Sequence, residues 1–204
     1  MPAELFDMRL RALRRDRAAR LGPELFLHER AFADTIERIE LVNRRFVSAL
    51  LVGCPDPGWP GRLGVVADRV IAVDPGRLFA AAAGGACIVE DDWSPPAGGF
   101  DLCVAVGTLD SVNDVPRALA GLRRSLRPDS LLIGAVSGGD TLPRLRQAMH
   151  AADQVTGVAS PHVHPRLEGP TLAALLGAAG LVMPVVDVDR VHVSYRSFDR
   201  LIGD

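Results

Sequence analysis

The sequence predicts a doubly wound, mainly parallel α/β sheet. Three observations point to it: short apolar runs recur from Phe46 onward, turn residues bound each run, and amphipathic stretches of helix length separate several of them. Residues 4–42 precede this pattern and read as helix. Leu5, Met8, Leu10 and Leu13, then Leu25, Leu27, Phe32, Ile36 and Ile39, fall near helical spacing with Arg and Glu between them. Gly22-Pro23 divides the stretch into two helices. Six arginines lie between Arg9 and Arg20, but acidic residues follow closely and the net charge is −2. That face therefore reads as solvated, with no nucleic-acid stripe. These boundaries divide the chain into a helical arm, 1–45, and an α/β domain, 46–204.

The runs "FVSALLVG", "RVIAVD", "ACIVED", "FDLCVAVG" and "SLLIGAV" each read as a strand buried on both faces. Between the fourth and fifth, "DVPRALAGLRRSLRPDS" predicts a helix starting near Pro116. Leu119, Leu122 and Leu126 share one of its faces, and Pro128 ends it. A helix over Leu142–Asp153, a loop rich in His and Pro, and a helix over Thr171–Ala179 follow. "GLVMPVVDVDRVHVSY" then alternates like one or two final strands.

Composition removes several classes of function. The chain of 204 residues contains no Lys, which excludes lysine Schiff-base chemistry. Cys54, Cys87 and Cys103 form no C-x-x-C pair, so they suggest neither a disulfide framework nor zinc, and read as small buried hydrophobes. No apolar run reaches the ~18 residues of a membrane span. The first twenty residues lack the apolar stretch of a signal peptide, so the expected location is cytoplasmic.

In open α/β sheets ligands bind beyond the carboxyl ends of the strands. Here those ends carry Gly53-Cys54 after the first strand and Asp74 after the second. A carboxylate at Asp74 can accept both hydroxyls of a ribose. The third strand ends in Glu90-Asp91-Asp92, able to accept from an adenine amino group, with the Trp93 indole to cover an apolar ring. The fourth ends in "VAVGTLDSVND", which places Gly107, Thr108 and Asp110 at the pocket floor.

Longer motifs narrow this further. "FDMRLRALRRDRAA", "VNRRFVSALLVGC", "FDLCVAVGTLDSVNDVPRAL" and "SLRPDSLLIGAVSGGDTLPRLRQAM", completed by "SPHVHP" and "LAALLGAAGL", resemble class I S-adenosylmethionine-dependent methyltransferases. The resemblance is to the branch that holds the mitochondrial complex I assembly factor with a methyltransferase fold and the biotin-synthesis methyltransferase of malonyl carrier protein. It implies a Rossmann-like sheet and S-adenosylmethionine as cofactor. Gly53, Cys54, Asp74, Glu90, Asp91 and Gly107 are expected around that cofactor, with Gly58 a further candidate in an altered loop, and Asp110 and His162 are the candidates at the reacting end.

The departures from the branch matter as much. The second and third glycines of its G-C-G-x-G loop align with Pro55 and Pro57, which donate no N–H and have φ fixed near −65°. Gly58 and Gly61 are candidates to rebuild a wider loop, and Trp59 to fill the methionine's place. Where the assembly-factor branch reads L-H-W-V-N-D, this chain has Leu109-Asp110-Ser111-Val112-Asn113-Asp114. Asp110 becomes a base if desolvation raises its pKa; otherwise it is a plain loop aspartate. The chain also stops at "SFDRLIGD", short of the branch's closing helix and strand. That truncation predicts an open sheet edge, to be resolved by a homodimer, another partner or a rearranged sheet end. His162 and His164 fit either a metal or a lid; with no third ligand cluster, the lid is preferred and no metal is expected. Two functions are therefore expected as alternatives. One is a methyltransferase acting on a small-molecule or protein acceptor. The other is a catalytically degenerate relative that binds a protein partner, as in respiratory-complex assembly.

Overall fold

The structure is a computed structural model that describes residues 4–158 and 164–203. Its centre is a five-stranded, all-parallel sheet in the order β3-β2-β1-β4-β5. The strands are β1 (Phe46–Val52), β2 (Ala67–Asp74), β3 (Ala86–Cys87), β4 (Phe100–Val106) and β5 (Leu126–Ala135). The central strands separate two cores, because alternate residues face opposite sides of a strand. Ala49, Leu51, Leu102 and Val104 meet Phe32, Ile39, Trp59 and Leu63 on one face. Leu50, Val52, Cys103 and Ala105 meet Leu109, Leu119, Leu122 and Leu126 on the other.

The first core is closed by α2 (Phe26–Leu41) and α3 (Trp59–Leu63), the second by α5 (Val115–Ser125). The side chain of Asp114 caps α5 by accepting from Arg117 N at 2.9 Å, and Pro116 fills its first turn. The remaining helices are α1 (Met8–Leu21), α4 (Arg77–Ala82), α6 (Pro143–Thr156), α7 (Gly169–Ala178) and α8 (Phe198–Gly203). Gly22 has φ 79° where the arm breaks between α1 and α2. Among the described residues no helix is long and apolar enough to cross a membrane.

Four expectations change. Helix α5 ends at Ser125, so Leu126 and Pro128, expected in its last turn and at its end, belong to β5. The third strand is only Ala86–Cys87; Asp92 N bonds Val89 O at 3.0 Å, so the chain turns where "IVED" would have continued. Burial on both faces holds for β4 but not for β5, whose middle is half-buried. The stretch 181–196 forms no strand. Met183 sits at φ 55°, which breaks an extended run, and Val182, Met183 and Val185 are exposed. Ion pairs Arg38–Asp187 and Arg30–Asp189 fasten this segment to α2 rather than to the free side of β5.

Candidate functional site

The carboxyl ends of β1, β2 and β4 converge with the turn after β3 on one cleft. Gly53 ends β1 at φ 83°, a conformation open to glycine. A Cβ there would stand 2.5 Å from both Val106 O and Thr108 Cγ2, so the position has no room for a side chain. Cys54 is buried, and burial first, then the charges of Asp74 and Asp56, push its thiol up to about 12. Burial likewise raises Cys103 to about 12, whereas Cys87 is exposed rather than buried.

The loop that follows folds inward on itself. Cys54 N donates to Asp74 Oδ2 at 2.8 Å and Gly58 N to Asp56 Oδ1 at 2.6 Å. Gly58 caps α3 with φ −80°, and Gly61 lies within that helix; neither widens the loop. Trp59 lies in the core, stacked on Phe32 with ring centroids 4.1 Å apart, and its Nε1 donates to Glu29 Oε2. It does not enter the cleft as the sequence suggested.

Asp74 is fully buried and accepts four hydrogen bonds. Arg15 Nε reaches Oδ1 at 2.9 Å and Arg15 Nη2 reaches Oδ2 at 2.6 Å, while the backbone N–H groups of Cys54 and Gly76 supply the others. Glu90, also buried, takes a second fork: Arg11 Nη1 to Oε2 at 2.6 Å and Nη2 to Oε1 at 2.9 Å, with Nη2 reaching Thr108 O as well. Paired N–H donors match the two oxygens of a carboxylate in both cases. The sequence reading left Arg11 and Arg15 on a solvated face, yet they are the cations that neutralise the two principal acids of the cleft. The readable signal was their i, i+4 spacing on a helix without an apolar stripe.

Asp91 points elsewhere: it accepts from Asn113 N, Asn113 Nδ2 and Asp114 N, bracing the turn after β4. Asn113 in turn exchanges hydrogen bonds with the backbone of Phe6. Gly107 has φ 65°, and a Cβ on it would stand 2.9 Å from the His28 ring. His28 is thereby a wall of the site, held below its ordinary pKa by burial and then by the charge of Arg15. Asp110 accepts from Arg166 Nη1 at 2.8 Å and from Ser137 N at 3.2 Å. Arg166 Nε and Thr108 Oγ1 are buried without a hydrogen-bond partner among the described residues. His164 stacks on Phe6 at 5.1 Å, while His162 lies outside the described residues.

The carboxylates suit the adenosine half of S-adenosylmethionine, since Asp74 ends β2 and Glu90 follows β3 on the carboxyl side of the sheet, and each offers two acceptor oxygens. Arg11 and Arg15 hold the hydrogen-bonding positions on Glu90 and Asp74 that a nucleoside would take. Beside Glu90, the cavity lined by Val52, Trp93, Leu109 and Leu122 measures about 10 Å³, the size of one water. Among the described residues no group of three or more His, Cys, Asp or Glu is placed to hold a metal.

Comparison with known proteins agrees with this architecture. A family model described as a methyltransferase domain matches residues 26–184. The mitochondrial arginine-hydroxylase NDUFAF5 of Rattus norvegicus is 30% identical over 219 residues, covering 98% of this chain and 62% of that protein. The malonyl-[acyl-carrier protein] O-methyltransferase of Laribacter hongkongensis is 32% identical over 128 residues, covering 63% and 41%. The chain thus spans about three fifths of the length of the NDUFAF5 relative. Among solved structures, the DhpI-SAM-HEP complex superposes with a TM-score of 0.60 at 20% identity, over 88% of this chain and 91% of that one. Since the family model spans more than half of the sequence and the sheet has the matching Rossmann-like form, the chain belongs to the methyltransferase-domain family.

Proposed function

We propose that the chain is an S-adenosylmethionine-dependent methyltransferase that holds the nucleoside of its cofactor on Asp74 and Glu90. The observation that carries this reading is the buried carboxylate pair of Asp74, at the end of β2, and Glu90, in the turn after β3. Gly53 and Gly107 let the backbone approach closely there, and Trp93 closes the apolar side. The bound cofactor would supply the electrophilic methyl group. The acceptor end lies at Asp110, where Arg166 and Ser137 N fix the carboxylate's orientation. The name of one relative, a malonyl-[acyl-carrier protein] O-methyltransferase, favours a protein-borne acceptor.

A second reading, a non-catalytic fold that binds a protein partner, has two observations in its favour: two prolines stand in the cofactor loop, and two arginines of the chain itself are paired with the cleft's carboxylates. Thermal melting with S-adenosylhomocysteine separates the two. At about a hundred times the dissociation constant the ligand adds about 2.7 kcal/mol, hence a rise in Tm of roughly 5–10 °C for a domain of this size. Asp74→Ala abolishes the rise. No shift at millimolar ligand, whether or not Arg11 and Arg15 are present, overturns the enzyme reading in favour of the second.

A further inference from the structure

Helix α1 is held to the protein in an unusual way. Leu10, Leu13 and Leu21 on it are exposed, and the one buried residue within it is an acid, Asp16. Its attachment is polar instead. Arg11 grips Glu90, Arg15 grips Asp74, Asp16 Oδ1 accepts from Leu78 N at 2.9 Å, and Phe6, just ahead of the helix, is latched to Asn113. Behind it, residues 22–25 form no regular structure, and Gly22 has open space around its Cα. A rigid rod is thus joined to the body through a glycine hinge and fastened by ion pairs.

We propose that α1 is a displaceable strap: Arg11 and Arg15 occupy the nucleoside half of the cofactor cleft, and a nucleoside ligand binds only when the strap swings out. The inference rests on the reading of Asp74 and Glu90 as the cofactor's carboxylates. Asp74 already accepts four hydrogen bonds, so a ribose reaches it only by displacing Arg15. Glu90 has both oxygens committed to Arg11 in the same way. Neutral hydroxyl and amino donors of the ligand would replace the arginine N–H groups as hydrogen-bond partners but not their charge. The strap therefore opens only with the loss of two ion pairs, and that loss keeps the closed form dominant. The closed strap reduces apparent affinity by the fraction of molecules that are open.

The test is titration calorimetry with S-adenosylhomocysteine on the wild type and on Arg11→Gln/Arg15→Gln. Hydrogen exchange of the wild type is followed with and without saturating ligand. The strap predicts that the double variant binds at least about tenfold tighter, as expected if the open form is below about a tenth of the population. It also predicts that amides of residues 12–21 exchange faster in the liganded wild type. Measurable binding with equal or weaker affinity in the variant overturns the strap and leaves the cofactor reading intact, as does slower exchange in α1 on ligand binding. No binding by either protein at millimolar ligand overturns the cofactor reading and the strap with it. Should the double variant fail to fold, the wild-type exchange experiment decides alone.

Discussion

Gly53 and Asp74 are the residues on which the cleft is built. Gly53 combines φ 83° with a would-be Cβ at 2.5 Å from a backbone oxygen, so a methyl group there meets strain and collision together. Left-handed backbone alone costs about 1–2 kcal/mol for a residue with a Cβ. Gly53→Ala is expected to lose at least about 3 kcal/mol of stability in urea unfolding. A loss below about 1 kcal/mol would mean that the β1 end yields and that the close packing on Thr108 is slack. Asp74 ties the same turn together, because it receives the backbone of Cys54 and Gly76 as well as Arg15. Its carboxylate is thus part of the scaffold and, in the proposed function, also the ligand acceptor.

Among the secondary elements, α5 and the segment 181–197 stand at opposite extremes. Helix α5 has a cap, a proline in its first turn and a leucine stripe sealed against the sheet; Leu119 is fully buried. Leu119→Ala is expected to cost about 2–5 kcal/mol. Val185, 87% exposed on the irregular segment, should tolerate replacement by Asp within about 0.5 kcal/mol. Paired urea titrations of the two variants check this contrast. A large loss for Val185→Asp would show that the segment is covered in solution, by a second copy or by a sheet rearrangement. Alternation of Val with Asp made the segment look like a strand, but alternation specifies only which face is apolar, not which edge it pairs with.

For the molecule as a whole, charge and burial set the response to pH. His28 is held below its ordinary value of 6.5 by burial and then by Arg15, and His164 by burial and then by Arg166. The unfolded chain therefore binds more protons than the folded one between those lowered values and about 6.5. Stability follows that difference, rising with pH across the window and falling as the pH drops through it. Asp101 adds a separate loss at lower pH. Burial raises its pKa, but the N–H groups of Val47 and Ser48 outweigh that and hold it below 3.8, so its contribution disappears under acid. Urea midpoints measured from pH 8 to pH 5 should decline below about 6.5. His28→Gln should flatten part of the decline, and an unchanged slope in that variant would place the titration on other groups.

Much of the fold was legible in the chain because it depends on local rules. Buried runs bounded by turns specify central strands, Gly22-Pro23 breaks the arm, and Asp114 with Pro116 starts α5. The strand-end acids were legible as well, since a parallel sheet delivers whatever follows each strand to one side of the molecule. The partners of those acids were not. Arg11 lies 79 residues from Glu90 and Arg15 lies 59 from Asp74, and an arginine reads alike on a solvated helix and in a cleft until the helix is docked. The same holds for Trp59, which packing sends to Phe32, and for residues 181–197, which ion pairs carry to α2. Composition and periodicity record what each segment can bury. Which surface it finds is decided by shape and charge brought together from distant parts of the chain.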